Sequence, residues 1–262
     1  MSRLREAHAG RDVSELLVLC YHAVSETWPS PAAIPPSRLE SQLRFLLRRG
    51  YRPVTLSAAL DEDAPRRALV VTFDDAYTSI LAAGSPVLER LGVPATVFVP
   101  TDAASESGQM AWSELAQWVG GEHEHELRCM AWEQLRELSE HGWEIGSHTC
   151  SHPHLTEIGE ERVASELRAS RAACEEELQR PCETLAYPFG SYDAKVMELA
   201  VAAGYRAAVT LDERIAAPLR GRGPLEVPRE AIYRATGWPI FAAKTSRLVR
   251  RIRVSRPYAS LT

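Results

Sequence analysis

The stretch Ala68-Leu69-Val70-Val71-Thr72-Phe73-Asp74-Asp75-Ala76-Tyr77 decides how the rest of the chain is read. Its first six residues are apolar or β-branched and read as a strand over 68–73. Two adjacent carboxylates follow at once. Successive side chains of a strand point to opposite faces, but a strand end can turn both Asp74 and Asp75 toward one pocket. Adjacent carboxylates there are costly to desolvate unless they are paired or bound to a metal. The plainer alternative is a pair of turn or helix-capping aspartates before Tyr77.

Outward from this stretch, strand-like and helix-like segments alternate. Strands are expected at Leu16–Tyr21, Tyr51–Leu56, Ala95–Val99, Trp143–Ser147, Thr184–Tyr187 and Tyr205–Thr210. Helices are expected at Arg38–Arg49, Ser79–Leu91, Trp132–His141, Glu160–Leu178 and Ala194–Ala203, four of them followed by a glycine stop. This rhythm predicts an α/β fold with a largely parallel sheet. In such folds, polar residues at the carboxyl ends of strands tend to form the active site.

Composition bounds the function. The 262 residues, 45% apolar and 25% charged, suffice for one large soluble domain or two small ones. The net charge of −5 argues against nucleic-acid binding. No apolar run is long enough to cross a bilayer, and Met1 to Glu15 shows no secretory signal, so a cytoplasmic location is expected. Five scattered cysteines without a CxxC pair argue against a disulfide framework.

A second chemical cluster, Ser147-His148-Thr149-Cys150-Ser151-His152-Pro153-His154, follows the strand Trp143–Ser147. His148 and His152 are four apart, so one helical turn would put them on one side. Imidazoles at that spacing suit zinc or a similar divalent ion. His154 is either a further ligand or a loop residue. One carboxylate of the first cluster and two imidazoles of the second make a three-ligand site open to water and substrate, and the other carboxylate is then free to act as a general base.

These motifs, with Leu19-Cys20-Tyr21-His22, Val93-Pro94-Ala95-Thr96-Val97-Phe98-Val99, the run Trp132 to Leu155 and Tyr187-Pro188-Phe189-Gly190, occur in an order that resembles the polysaccharide deacetylases, the chitin-deacetylase-like carbohydrate esterases of NodB homology. The likeness runs from about Leu17 to Phe241. It implies a single-domain, distorted (β/α) barrel of about seven strands. It implies a divalent metal, zinc above cobalt, nickel, manganese or iron, held by Asp75, His148 and His152. Asp74 is then the base that takes a proton from the attacking water. A backbone N–H near Tyr187 to Phe189 would hold the oxyanion. Tyr77, Tyr187, Pro188 and Phe189 are the substrate-binding candidates. The implied activity is removal of an N-acetyl group from an amino-sugar-containing glycan or glycan precursor.

Two departures from the family pattern stand out. The Arg that orients the base, two residues before the Pro of the third motif, is replaced by Ala186; Arg229 in Val227-Pro228-Arg229 is the candidate substitute. The late His that serves as general acid is absent; His22 is the candidate, or Asp74 itself returns the proton. Trp112, Trp118, Trp132, Trp143 and Trp238 are candidates for a sugar groove, with one or two expected at the site. The expected domain plan is an extension at 1–15, the catalytic domain at 16–243 and a basic tail at 244–262. The tail's Arg247, Arg250, Arg251, Arg253 and Arg256 suit peripheral contact with an anionic membrane surface. The competing functions are an amidase acting on a non-sugar amide, and a silent carbohydrate-binding protein.

Overall fold

The computed structural model describes residues 16–105, 108–211 and 223–250. The expected 1–15 extension and the basic stretch beyond 250 lie outside them.

A parallel sheet carries the fold. Its strands are β1 (Leu17–Tyr21), β4 (Arg52–Pro53), β5 (Ala68–Phe73), β6 (Thr96–Val99), β7 (Glu144–Ser147), β8 (Thr184–Ala186), β9 (Ala207–Thr210), β10 (Val227–Pro228) and β11 (Glu230–Ala231). The order is β10-β9-β8-β7-β6-β5-β1-β11, with β4 paired to the start of β5. A small side sheet pairs β2 (Ala23–Val24) with β3 (Ala33–Ile34). The two ends of the main path, β10 and β11, are separated in sequence by Arg229 alone. The chain thus steps from one edge of the sheet to the other across one residue, and the sheet is a nearly closed barrel.

Seven of these strands match the sequence expectation, several of them trimmed. Tyr51–Leu56 shortens most, to Arg52–Pro53, because the chain turns at Thr55 into helix α2 (Leu56–Ala59), and the Leu56 N–H goes to Thr96 Oγ1 at 3.0 Å. β10 and β11 are two residues each, too short to show a period.

Period-two alternation sorts the strand residues into two cores. Val18, Val70, Phe98, Ala186, Val209 and Val227, one from each of six strands, form one cluster with Leu56 and Ala59: the barrel interior. Leu17, Leu19, Tyr21, Leu69, Val71 and Phe73 belong to the other, between sheet and helices. Each such aliphatic or aromatic side chain contributes about 1.5–3 kcal/mol on burial. At the amino end of the barrel, Glu144 accepts from Thr184 Oγ1 at 2.8 Å, Thr96 Oγ1 at 3.1 Å and the Ser57 N–H at 3.0 Å, so its carboxylate ties β6, β7, β8 and α2 together.

The outer layer follows the expected pattern. Helix α1 (Pro36–Arg48) buries Leu39, Leu43 and Leu46. The expected helix Ser79–Leu91 divides into a π-helical turn at Ile80–Gly84 and α3 (Ser85–Leu91), since Pro86 has no N–H to continue the ladder. Then come α4 (Thr101–Ser105), α5 (Trp132–Glu140), α6 (Glu160–Leu178) and α7 (Ala194–Ala203), the last capped by Asp193, whose side chain accepts the Val196 N–H at 2.8 Å. Helix α8 (Trp238–Thr245) crosses the expected boundary at 243/244: Lys244 Nζ donates to the Ala231 carbonyl at 2.9 Å, and the Arg250 side chain donates to the Leu16 carbonyl. The fold therefore continues beyond the expected domain end. Among the described residues, no helix is long and apolar enough to cross a membrane.

Candidate metal centre and active site

The carboxyl ends of β1, β5, β7, β8, β9 and β10 deliver His22, Asp74 and Asp75, His148, the Tyr187 turn, Thr210 and Arg229 to one end of the barrel. Ligand atoms of Asp75, His148 and His152 lie within 4.8 Å of one another, and all three residues are buried. Asp75 Oδ1 is 3.5 Å from His148 Nε2 and 3.4 Å from His152 Nε2. Two ligands about 2.1 Å from a zinc ion at the tetrahedral angle stand roughly 3.4 Å apart, so these separations fit one ion. Asp75 Oδ1 and His152 Nδ1 are buried without hydrogen-bond partners. A carboxylate oxygen left bare at that depth is what a cation would satisfy.

The ring of His148 is set by its Nδ1, 2.8 Å from the Ala186 carbonyl, which leaves Nε2 facing Asp75. The ring of His152 is set differently. It lies between Trp112, stacked at 4.2 Å and 22°, and Phe189, edge-on at 4.5 Å and 68°. Burial pushes both imidazoles below their ordinary value, keeping them in the neutral form that binds metal. Burial, with the like charge of Asp74, pushes Asp75 above the carboxylate range, opposed by a hydrogen bond from Tyr77.

The two histidines do not share a helical turn, contrary to the spacing argument. Thr149 and His152 have φ of 67° and 58°, and the chain folds back as a loop that brings the rings to 4.7 Å. Pro153, which has no N–H to give, ends any regular continuation. Six non-glycine residues with positive φ occur among the described residues; Asp75, Ala76, Thr149, His152 and Phe189 are at this site, and the sixth, Gln179, ends α6. Backbone strain is thus concentrated where the ligands are presented.

Asp74 is held differently, although its Oδ2 lies 4.0 Å from His148 Nε2. Arg229 Nη1 and Nη2 donate to its two carboxylate oxygens at 2.6 and 2.7 Å, with both side chains fully buried. The same guanidinium donates to Thr72 Oγ1 at 3.0 Å and lies over the Phe98 ring at 5.6 Å. The Cys20 thiol donates to Asp74 Oδ2 at 3.5 Å. Burial alone would raise Asp74, but the charge of Arg229 and its two hydrogen bonds outweigh it and hold the carboxyl well below the usual range. Cys20 and Thr72 lie inside the quoted motifs but nothing singles them out there, because each reads as an ordinary strand residue.

His22 lies with Cys20 and Asp74 in a second group whose ligand-type atoms fall within 4.8 Å of one another. Its ring is parallel to Tyr233 at 6.4 Å, its Nδ1 is buried without a partner, and burial pushes it down to about 4.

The expected substrate-binding residues divide. Tyr77, Tyr187 and Pro188 are buried: Tyr77 packs edge-on against Trp28 at 5.6 Å, and the Tyr187 hydroxyl goes to the Leu225 carbonyl at 3.2 Å. Their side chains therefore shape the site from behind. Phe189 is half-buried and stacks on His154 at 3.8 Å and 9°, and His154 lies 3.7 Å from Glu114, so His154 lines the mouth instead of joining the ligand cluster. Of the five candidate tryptophans, Trp112 alone stacks on a ligand candidate. Trp143 and Trp118 pack on Phe73 and Trp28, Trp132 donates to Ser105, and Trp238 is half exposed against Phe45.

Comparison with known proteins gives the family and the fold. A family model described as polysaccharide deacetylase matches residues 61–208. YxkH of Bacillus subtilis (strain 168), described as a polysaccharide deacetylase, is 26% identical over 204 residues, 76% of this chain and 65% of that protein. The poly-beta-1,6-N-acetyl-D-glucosamine N-deacetylase of Staphylococcus aureus (strain MRSA252) is 24% identical over 199 residues, 71% of this chain and 63% of that protein. The chain thus spans just under two thirds of the length of these relatives. The solved structure of IcaB from Ammonifex degensii superposes with a TM-score of 0.66 at 26% identity, covering 88% of this chain and 97% of that one. The deacetylase PplD of Streptococcus pyogenes superposes at 0.73 with 20% identity, covering 88% and 98%, a likeness of fold.

Proposed function

Because the chain belongs to the polysaccharide deacetylase family, we propose that it is a metal-dependent hydrolase that removes an N-acetyl group from an amino-sugar-containing glycan or glycan precursor. The observation that carries this reading is the division of labour between adjacent carboxylates: Asp75 faces two imidazoles at 3.4–3.5 Å, while Asp74 is gripped by Arg229.

Asp75, His148 and His152 would hold the divalent cation, for which zinc suits the one-carboxylate, two-imidazole donor set. When bound, the cation supplies Lewis-acid polarisation of the acyl oxygen and lowers the pKa of water.

Asp74 takes the proton of the attacking water, oriented by the two-pronged grip of Arg229 and by Cys20. Arg229 thereby fills the role that Ala186 cannot. The Tyr187 N–H already donates to the Val209 carbonyl at 3.3 Å and Pro188 has none, so the Phe189 N–H is the donor of that turn assigned to the oxyanion. The proton then goes to the leaving nitrogen from Asp74 directly or by way of His22, which is neutral at pH 7 and must be charged within the cycle. Phe189, His154 and Trp112 offer the sugar a half-buried aromatic wall. Trp238, Ile240 and Leu248 are exposed, and Arg251, Arg253 and Arg256 follow them in the sequence, a combination that suits peripheral contact with an anionic surface.

Acetate release from a panel of N-acetylated sugars, oligomers and non-sugar amides tests the substrate class. Release from acetamido sugars supports the reading. Release from non-sugar amides alone overturns the glycan assignment, and tight glycan binding without turnover overturns the hydrolase.

A further inference from the structure

The loop from His148 to His152 must present two imidazoles from strained backbone, and its own hydrogen bonds show what holds it. The His148 N–H goes to the Val99 carbonyl at 2.9 Å, and the carbonyls of Thr149 and Cys150 accept from the N–H groups of Thr101 and Asp102 at 3.1 and 3.2 Å. The N–H groups of Cys150 and Ser151 turn the other way, to Glu166 Oε2 at 2.9 and 3.0 Å, and Ser151 Oγ donates to Glu166 Oε1 at 2.6 Å. One turn further along α6, Ser170 Oγ accepts from Ser147 Oγ at 2.8 Å, and Ser147 Oγ in turn accepts the Thr149 N–H at 3.1 Å. Glu166 and Ser170 are both buried and four residues apart, on one face of the helix.

We propose that Glu166, backed by Ser170, is a positioning residue for the metal: it clamps the loop so that His148 and His152 face Asp75 before any ion arrives. The inference rests on the metal reading above. Glu166 makes no hydrogen bond to either His side chain and acts through the backbone and the Ser151 hydroxyl between them. A carboxylate suits the task because its two oxygens take three donors from two consecutive residues, and charge-assisted bonds of this kind are short and directional. A glutamine would keep one acceptor for the two N–H groups but lose the charge, and its amide N–H₂ would have to donate to the Ser151 hydroxyl in place of accepting from it. Removing the side chain takes the acceptor from two N–H groups beside residues that already hold φ of 67° and 58°.

The test is zinc affinity, measured by chelator competition on full-length metal-free protein, together with the visible spectrum of the Co2+ form, for wild type, Glu166→Gln, Glu166→Ala and Ser170→Ala. Losses of outer residues around metal ligands typically weaken binding 10–100-fold. The expected result is a weakening of about that size in Glu166→Ala, a smaller one in Glu166→Gln, and a Co2+ spectrum altered from wild type while cooperative unfolding is retained. Wild-type affinity with an unchanged Co2+ spectrum in Glu166→Ala overturns the proposal. If Glu166→Ala does not fold, Ser151→Ala removes one bond of the three; a several-fold loss supports the clamp and an unchanged affinity overturns it. A wild-type protein that takes up no Zn2+ overturns the metal reading itself, which separates the two failures.

Discussion

Arg229 grips Asp74 through two hydrogen bonds of 2.6 and 2.7 Å although the residues are 155 positions apart. The contact exists because Arg229 is the single residue between the two edge strands of the barrel, β10 and β11. Closing the barrel and orienting the proposed base are one event.

Arg229→Met should therefore harm both stability and turnover. Removing one partner of a buried ion pair costs about 3–5 kcal/mol. Arg229→Lys keeps the charge but loses the fork, and should fold better than Arg229→Met while recovering little activity. Denaturant melts and acetate-release kcat for both variants check this; wild-type kcat in Arg229→Met would sink the orienting role.

The same pair sets a pH dependence. The carboxyl of Asp74 is held below its unfolded value, so it binds its proton less readily in the folded state. Its contribution is fully present above the unfolded value of about 4 and is lost as pH falls from there through the folded value. The stability gap between wild type and Asp74→Asn, large at pH 7, should narrow steadily below pH ~4. Urea melts at pH 7, 4 and 3 measure it, and a gap that stays constant contradicts the account.

His152 lacks a hydrogen bond at Nδ1 and takes its orientation from packing between Trp112 and Phe189. Trp112→Ala should weaken metal affinity about tenfold, the lower end of the effect of outer-residue loss, with little change in unfolding. Chelator competition distinguishes this from a purely substrate-binding role, which would raise KM and leave metal affinity alone.

Gly146 is required by space. A Cβ there would meet Phe98 and Thr184 Oγ1 at 2.6 Å, and Phe98 lies under the Arg229 guanidinium. Gly146→Ala should cost about 1–3 kcal/mol, as overpacking does, and should lower kcat as well by disturbing Arg229. Thermal melts with kinetics show whether both losses occur together.

Most of the barrel was legible because its strands are short apolar runs set between periodic helices, and Ala68–Phe73 and Glu160–Leu178 were read to the residue. β10 and β11 were not, since two residues carry no period, and so the closure through Arg229 was visible only as an Arg after Val-Pro. The candidate ligands Asp75, His148 and His152 and the candidate base Asp74 were picked out through motif order, and the structure brings them to one end of the barrel. The spacing of His148 and His152 suggested a helical turn and was misleading, because positive φ at non-glycine residues leaves no mark on composition. Tyr77 and Tyr187 looked like groove residues because each lies within a site motif, yet their burial follows from the core behind the strand ends. Glu166 was one Glu among many on a charged helix, and only the loop that folds onto it shows its use.

The central claim is a base, Asp74, working beside a metal held by Asp75, His148 and His152. The most direct measurement is acetate release from N-acetylglucosamine oligomers by zinc-loaded wild type, chelated wild type, the same sample after zinc is restored, and zinc-loaded Asp74→Asn. The account predicts release that is lost on chelation, returns with zinc, and is lost in Asp74→Asn although that variant still binds zinc. Release that survives chelation, or that proceeds at the wild-type rate in Asp74→Asn, would contradict it.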